Sequence, residues 1–178
     1  MARNAGAMMA IAMGPEAWDG EHRVGAFGFR PMTQGDAEQI ADWHYPEPFS
    51  FYDARSDPDD LAELLDATAR GDDCVAVDDD DRSLIGFFHY KRPHGATLEI
   101  GLGLRPDMTG RGLGRSFVEA GLEYARRRFA PVEFRLSVAT FNRRAITVYE
   151  RVGFAATRVF THRTNGGEWE FVEMARPA

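Results

Sequence analysis

RPDMTGRGLGRSF, residues 105–117, places glycines at alternate positions 110, 112 and 114, between an apolar run and an arginine-rich amphipathic one. That much backbone freedom serves a tight turn between packed elements, a nucleotide-binding turn, or a cradle of backbone amides for some other phosphate. The dinucleotide fingerprint fails, because neither Gly110 nor Gly112 opens a Gly-x-Gly-x-x-Gly. A P-loop fails too: it needs a lysine after its last glycine, and the chain's only lysine is Lys91.

Working outward, residues 97–104 read as a strand with Leu98, Ile100, Leu102 and Leu104 on one face and Thr97, Glu99, Gly101 and Gly103 on the other. Downstream, Leu113, Phe117, Leu122, Ala125 and Phe129 form the apolar stripe of a helix over 112–129, closed by Pro131. A strand over 133–139 completes a β-α-β unit of a length that means parallel pairing. Asn142 is an N-cap and Gly153 a helix stop, and Asn165-Gly166-Gly167 marks a hairpin between strands at 154–162 and 169–174.

Upstream, a strand over 27–32 leads to a helix over 36–44 capped by Thr33 or Asp36. Leu61, Leu64 and Leu65 place a helix over 60–70, ended by Gly71. Strands at 74–77 and 84–90 form a hairpin around four aspartates, 78–81, which read as a solvated turn and not a metal site.

The 178 residues suit one domain, 23–178, preceded by an extension, 1–22, that is disordered or loosely packed. Its apolar run at 7–13 has only Arg3 before it and no small-x-small cleavage site after it, so it does not read as an export signal. No stretch is long enough to span a membrane. Cys74 is the only cysteine, and no paired Cys or His spacing points to zinc, so a buried thiol, no metal and a cytoplasmic location are expected. The net charge of −7 argues against nucleic-acid binding. Residues 105–151 nevertheless carry ten arginines against five acidic side chains, so the glycine stretch opens the one basic block of an acidic chain. Basic groups around an amide-rich turn point to a small polyanionic ligand.

Two ordered blocks then carry a resemblance. Thr109-Gly110-Arg111-Gly112-Leu113-Gly114 is similar to the acyl-CoA loop, Gln/Arg-x-x-Gly-x-Gly/Ala, of the GNAT superfamily of N-acetyltransferases, with Thr109 in place of the leading Gln or Arg. Asn142 to Phe154 resembles the family's Asn-x-x-Ala-x-x-x-Tyr-Glu-x-x-Gly-Phe. The resemblance spans roughly 27–174 in order of elements. It implies an α/β (α+β) fold: a mixed, mostly antiparallel sheet of about seven strands with a central parallel β-α-β unit and about four helices.

It also implies acetyl-CoA as co-substrate, direct transfer, and an acceptor that is a small-molecule or peptide amine. The pyrophosphate cradle is then Thr109, Gly110, Arg111, Gly112, Leu113, Gly114 and Arg115, with the start of the following helix. Leu102, Gly103 and Leu104 offer main-chain groups to the pantetheine arm, and Asn142 is both N-cap and polar contact. In the family the tyrosine matching Tyr149 protonates the departing thiolate; a core tyrosine with a satisfied hydroxyl is the plainer reading. Glu99 is the candidate base, because Gly101 and Gly103 leave room on its face, although a half-exposed glutamate in an ion pair accounts for it equally.

Residues 43–52 hold six aromatic rings, counting His44, so Trp43, Tyr45, Phe49 and Tyr52 are candidate walls of the acceptor pocket or a satellite core. Ten acidic residues and a single arginine between 36 and 66 either attract a cationic acceptor or form solvated faces. A non-catalytic acyl-CoA-binding module is the rival reading, and the terminal strands could pair across a homodimer.

Overall fold

The structure, a computed structural model, describes residues 20–92 and 95–178. The apolar run at 7–13 lies outside them. Eight strands form one sheet: β1 (His22–Val24), β2 (Phe27–Pro31), β3 (Cys74–Asp78), β4 (Leu84–Lys91), β5 (Thr97–Leu104), β6 (Glu133–Ala139), β7 (Ala155–Thr164) and β8 (Gly167–Pro177). Their order is β1-β2-β3-β4-β5-β6-β8-β7, and only β5 and β6 run parallel. The mixed, mostly antiparallel sheet with one parallel β-α-β unit is the architecture expected. The additional strand is β1, too short for its periodicity to show. It starts at His22, so the expected boundary between 22 and 23 falls inside a paired strand.

Among the described residues five helices cover the sheet: α1 (Gln34–Ala41), α2 (Pro58–Leu65), α3 (Ala67–Arg70), α4 (Gly114–Phe129) and α5 (Arg143–Arg151). The helix expected over 60–70 is two helices, because Asp66 leaves the helical region at ψ 109° and its carboxylate caps α3 through Thr68 and Ala69. Thr33 and Asp36 both serve α1, as the two halves of a capping box. The aspartate turn departs from expectation at Asp78, which is buried and binds the Arg30 guanidinium, 2.6 Å from Nε. Arg30 also reaches Asp36 at 2.6 Å, tying β2 and β3 to the start of α1.

Two cores follow from strand alternation. On one face Phe29, Val75, Phe88, Leu98, Phe134 and Met174 pack against Phe117, Leu122 and Ala125 of α4 and Ile146 of α5. On the other, Cys74, Ala76 and Leu84 meet Ala37, Ile40 and Trp43 beneath α1 and α2. Gly121 lets α4 approach β4: a Cβ there would lie 2.2 Å from the Phe88 ring.

The feature that positions the site is the divergence of β5 and β6. They pair only through Thr97–Glu99 and Glu133–Arg135, after which β6 continues with β8 and the rest of β5 keeps β4 alone.

Candidate active site

The start of α4 lacks a side-chain cap, whereas Thr33, Asp57, Asp66 and Asn142 cap the other four helices. Ser116 turns its hydroxyl back to the Leu113 carbonyl, 3.0 Å away, so it caps nothing ahead of it. The first-turn amides of α4 are therefore left for an anion, reinforced by the helix dipole. Gly110 and Gly112, at φ +75° and +81°, bend the chain so that it enters α4 from this direction. Gly114 has another task, since a Cβ there would lie 3.3 Å from Val148 of α5.

These amides open into a cleft of about 390 Å³ between α4, α5 and β5. Of the expected cofactor residues, Leu102, Leu104, Thr109, Gly110, Gly112, Gly114, Arg115 and Asn142 line it together with Tyr149; Gly103, Arg111 and Leu113 do not. Sequence reading missed Phe117, Val118, Arg144, Ala145, Val148 and Arg151 on its walls. The i, i+3, i+4 spacing of Ala145, Val148 and Tyr149 was the signal that could have found the α5 side. Thr109, at the family's Gln/Arg position, spends its hydroxyl on the Pro106 carbonyl at 2.7 Å and holds the 3₁₀ turn Pro106–Met108.

The edge of β5 explains the absence of Gly103. Arg105 N–H donates to Ile85 of β4 over 2.7 Å, so with a period of two the main-chain groups of Gly103 also face β4. Those of Leu102 and Leu104 face the side that β6 has left. The free edge can therefore pair with an extended arm through the main chain of Leu102 and the N–H of Leu104, whose carbonyl already accepts from the Tyr45 hydroxyl.

Tyr149 reaches the cleft from α5, packed edge-on to Phe154 with ring centres 6.1 Å apart. Burial, assisted by the nearby Tyr52 hydroxyl, pushes its phenol well above the usual tyrosine range, so it keeps its proton. Tyr52 is raised by burial as well, while the Asn142 side chain and the Ala139 N–H, both bonded to its oxygen, oppose the shift. Asn142 also caps α5, accepting from Ala145 N–H at 3.1 Å.

Glu99 lies on the opposite face of the sheet. It lines a separate cavity of about 580 Å³ with Arg135, Ser137, Arg158, Phe160, His162 and Phe171. The side chain is exposed and has no hydrogen-bond or ion-pair partner among the described residues. The room expected beside it at Gly103 is already filled, since a Cβ there would lie 2.3 Å from the Phe87 ring. Its space comes instead from the groove formed by β6, β7 and β8. Tyr149 and Glu99 thus stand on opposite sides of the gap where β5 and β6 part.

The family model described as the Acetyltransferase (GNAT) domain matches residues 27–155. The chain belongs to the GNAT acetyltransferase family. Mycothiol acetyltransferase of Streptomyces coelicolor is 38% identical over 89 residues, which are 48% of this chain and 26% of that protein. Its counterpart in Streptomyces avermitilis is 39% identical over the same length and shares. The chain thus spans about a quarter of the length of these curated relatives. A GNAT acetyltransferase structure from Bacillus anthracis superposes with TM-score 0.69 at 15% identity, covering 88% of this chain and 98% of that one. Spermidine N-acetyltransferase of Vibrio cholerae, in complex with CoA and spermine, gives 0.69 at 20% identity, covering 85% and 95%.

The four aromatic residues expected to wall an acceptor pocket separate. Trp43 is buried in the second core against Phe87. Tyr45 donates its hydroxyl to the Leu104 carbonyl at 2.9 Å. Phe49 lies under the Arg144 guanidinium, 4.5 Å from its ring centre, and Tyr52 reaches toward Tyr149. Phe51, Phe141 and Trp169 line a third cavity of about 590 Å³. Phe141 and Trp169 come from outside the segment that sequence reading singled out, because only the folded sheet brings 49–52, 141 and 169 together.

Proposed function

We propose that this GNAT protein transfers an acetyl group from acetyl-CoA to the primary amine of a small-molecule or peptide acceptor. The observation that carries this reading is the single cleft into which the uncapped start of α4, the free edge of β5 and the Tyr149 hydroxyl all open. Acetyl-CoA supplies an acyl group activated as a thioester.

The α4 amides and the backbone around Gly112 bind and fix phosphate oxygens. Arg115, Arg144 and Arg151 add positive field around the same cleft. Main-chain groups of Leu102 and Leu104 orient the arm along β5. Tyr149 holds a proton at its phenolic oxygen and gives it to the leaving sulfur. Glu99 takes the proton of the acceptor ammonium, directly or through water, from the far side of the gap. Holding the two reactants together supplies much of the acceleration, so no covalent enzyme intermediate is needed.

Thiol release measured beside calorimetric titration of acetyl-CoA tests this. Tyr149→Phe should keep acetyl-CoA affinity and lose turnover. If the wild type binds acetyl-CoA and acetylates no amine in a broad panel, the protein is an acyl-CoA-binding module instead.

A further inference from the structure

We propose that the acceptor is a primary amine with an aromatic body, seated on Phe171, Phe160, Phe51 and Trp169 with its ammonium at Glu99. This rests on the acetyl-transfer reading and gives it a substrate class.

Cross-strand register builds the wall. Phe160 stands opposite Phe171, His162 opposite Trp169 and Arg158 opposite Glu173, so all six side chains project from one face of the β7–β8 pair. That is the face of Glu99, since both line one cavity with Phe160 and Phe171. Phe171 is stacked on Phe160 at 5.9 Å and lies 6.1 Å from Phe51, which meets Trp169 edge-on at 4.9 Å. None of these four rings belongs to either hydrophobic core, and Trp169 is 38% exposed. They run from the Glu99 cavity into the cavity of Phe141 and Trp169. Phe51, Phe160 and Phe171 are half-buried, and a contiguous, partly exposed aromatic surface of this kind is unfavourable in water unless something apolar covers it.

Charge places the amino group. In the Glu99 cavity Glu173 is bound to Arg158 at 3.1 Å, and Arg135 is bound to Glu133 at 2.6 Å. Among the described residues Glu99 is therefore the unpaired carboxylate on that lining, a counter-charge for an ammonium. Arg135 and Arg158 are already neutralised by their carboxylate partners. Much of the acidic surplus of residues 36–66 is engaged as well, Asp36 with Arg30, Asp42 with Arg55, Glu63 with Lys91, Asp57 with the β7–β8 turn and Asp66 as a cap, while Glu47 stands on the lining of the Trp169 cavity at the other end of the rings. The rings themselves separate two acceptor classes: an aromatic amine covers them, and an aliphatic polyamine such as spermidine leaves them in water.

Initial rates with saturating acetyl-CoA test the proposal on 2-phenylethylamine and tryptamine against n-butylamine and spermidine. The aromatic amines should exceed both others in kcat/KM by about tenfold or more, the scale of an apolar pocket's selectivity. Phe171→Ala and, on the exposed hairpin, Trp169→Ala should raise the KM for 2-phenylethylamine by a similar factor while acetyl-CoA affinity holds. Phe171→Leu keeps an apolar side chain in place should the alanine variant fail to fold, and should show a smaller rise in the same direction. Spermidine used as well as or better than the aromatic amines would overturn the proposal, as would an unchanged KM in the folded variants. If acetyl-CoA binds but no amine is acetylated, the catalytic reading has failed. Calorimetric titration of 2-phenylethylamine into the CoA-bound protein then decides the inference: binding weakened by Trp169→Ala supports it, and absence of binding overturns it.

Discussion

The Tyr45 hydroxyl donates to the Leu104 carbonyl over 2.9 Å, joining the loop after α1 to the open edge of β5. Burial raises the Tyr45 phenol far above the usual range, helped by the Asp53 carboxylate, which itself accepts from Tyr45 N–H at 2.9 Å. The loop after α1 and the strand that edges the cleft are thus fastened at one carbonyl. Tyr45→Phe removes the donor and strands the Leu104 carbonyl, so stability should fall by about 1 kcal/mol. Urea denaturation monitored by circular dichroism measures this, with an unchanged midpoint as the contrary result.

Tyr149 carries a prediction about pH. Its phenol is raised by burial, so the proton-bearing form persists throughout the range in which enzymes are ordinarily assayed. Rate should therefore show no falling limb from this group below pH 10, where an unperturbed tyrosine would already be about half deprotonated. Tyr149→Phe should lower kcat by roughly 10²-fold, the lower end for general acid catalysis, at every pH tested. A variant whose loss of rate grows or shrinks steeply between pH 7 and 9 would assign the proton to another group.

How much of this was legible in the sequence depends on which contacts are local. The β5-α4-β6 unit, the caps of α1 and α5 and the glycine turn are written in periodicity and short-range chemistry, and they appear where expected. The free edge of β5 is different, because the number of residues that pair before two parallel strands diverge depends on what each packs against afterwards. Gly103 shows the consequence: it was expected to offer main-chain groups to the arm beside Leu102 and Leu104, but its main chain faces β4. The aromatic groove was hidden for a related reason. Phe51, Phe141 and Trp169 are far apart along the chain and meet only through strand register and loop docking.

The glycines of the fold do unlike things, and alanine substitutions should separate them. Gly112 needs its φ of +81° but has no heavy atom within 4 Å of an added Cβ, so Gly112→Ala strains only the turn, by about 1–2 kcal/mol. That strain falls on the loop proposed to aim amides at acetyl-CoA and should weaken its binding. Gly121→Ala instead drives a methyl into the Phe88 ring, and overpacking of this kind costs about 1–3 kcal/mol. Paired melting and calorimetric titrations should give the larger stability loss at 121 and the larger affinity loss at 112. The reverse ranking would mean that the turn is structural and the cradle lies elsewhere.

Asp57 links the helical side of the groove to its hairpin. Its carboxylate accepts from Asn165 N–H at 3.0 Å and the Thr164 hydroxyl at 2.8 Å while capping α2 through Asp59 N–H at 2.9 Å. The Asn165 amide first, then Thr164 and Asp59, hold its pKa down at about 2. A carboxylate depressed in the folded state stabilises that state fully above its unfolded value of about 3.9. The contribution is lost as pH falls through about 2. Asp57→Ala should therefore lower the Tm at pH 7, and the difference from wild type should narrow as pH falls from about 4 toward 2, where the native carboxylate is itself becoming protonated. Differential scanning calorimetry across that range reads the gap directly. A gap that stays constant down to pH 2 would show that packing, not the charged clasp, holds the β7–β8 turn against α2.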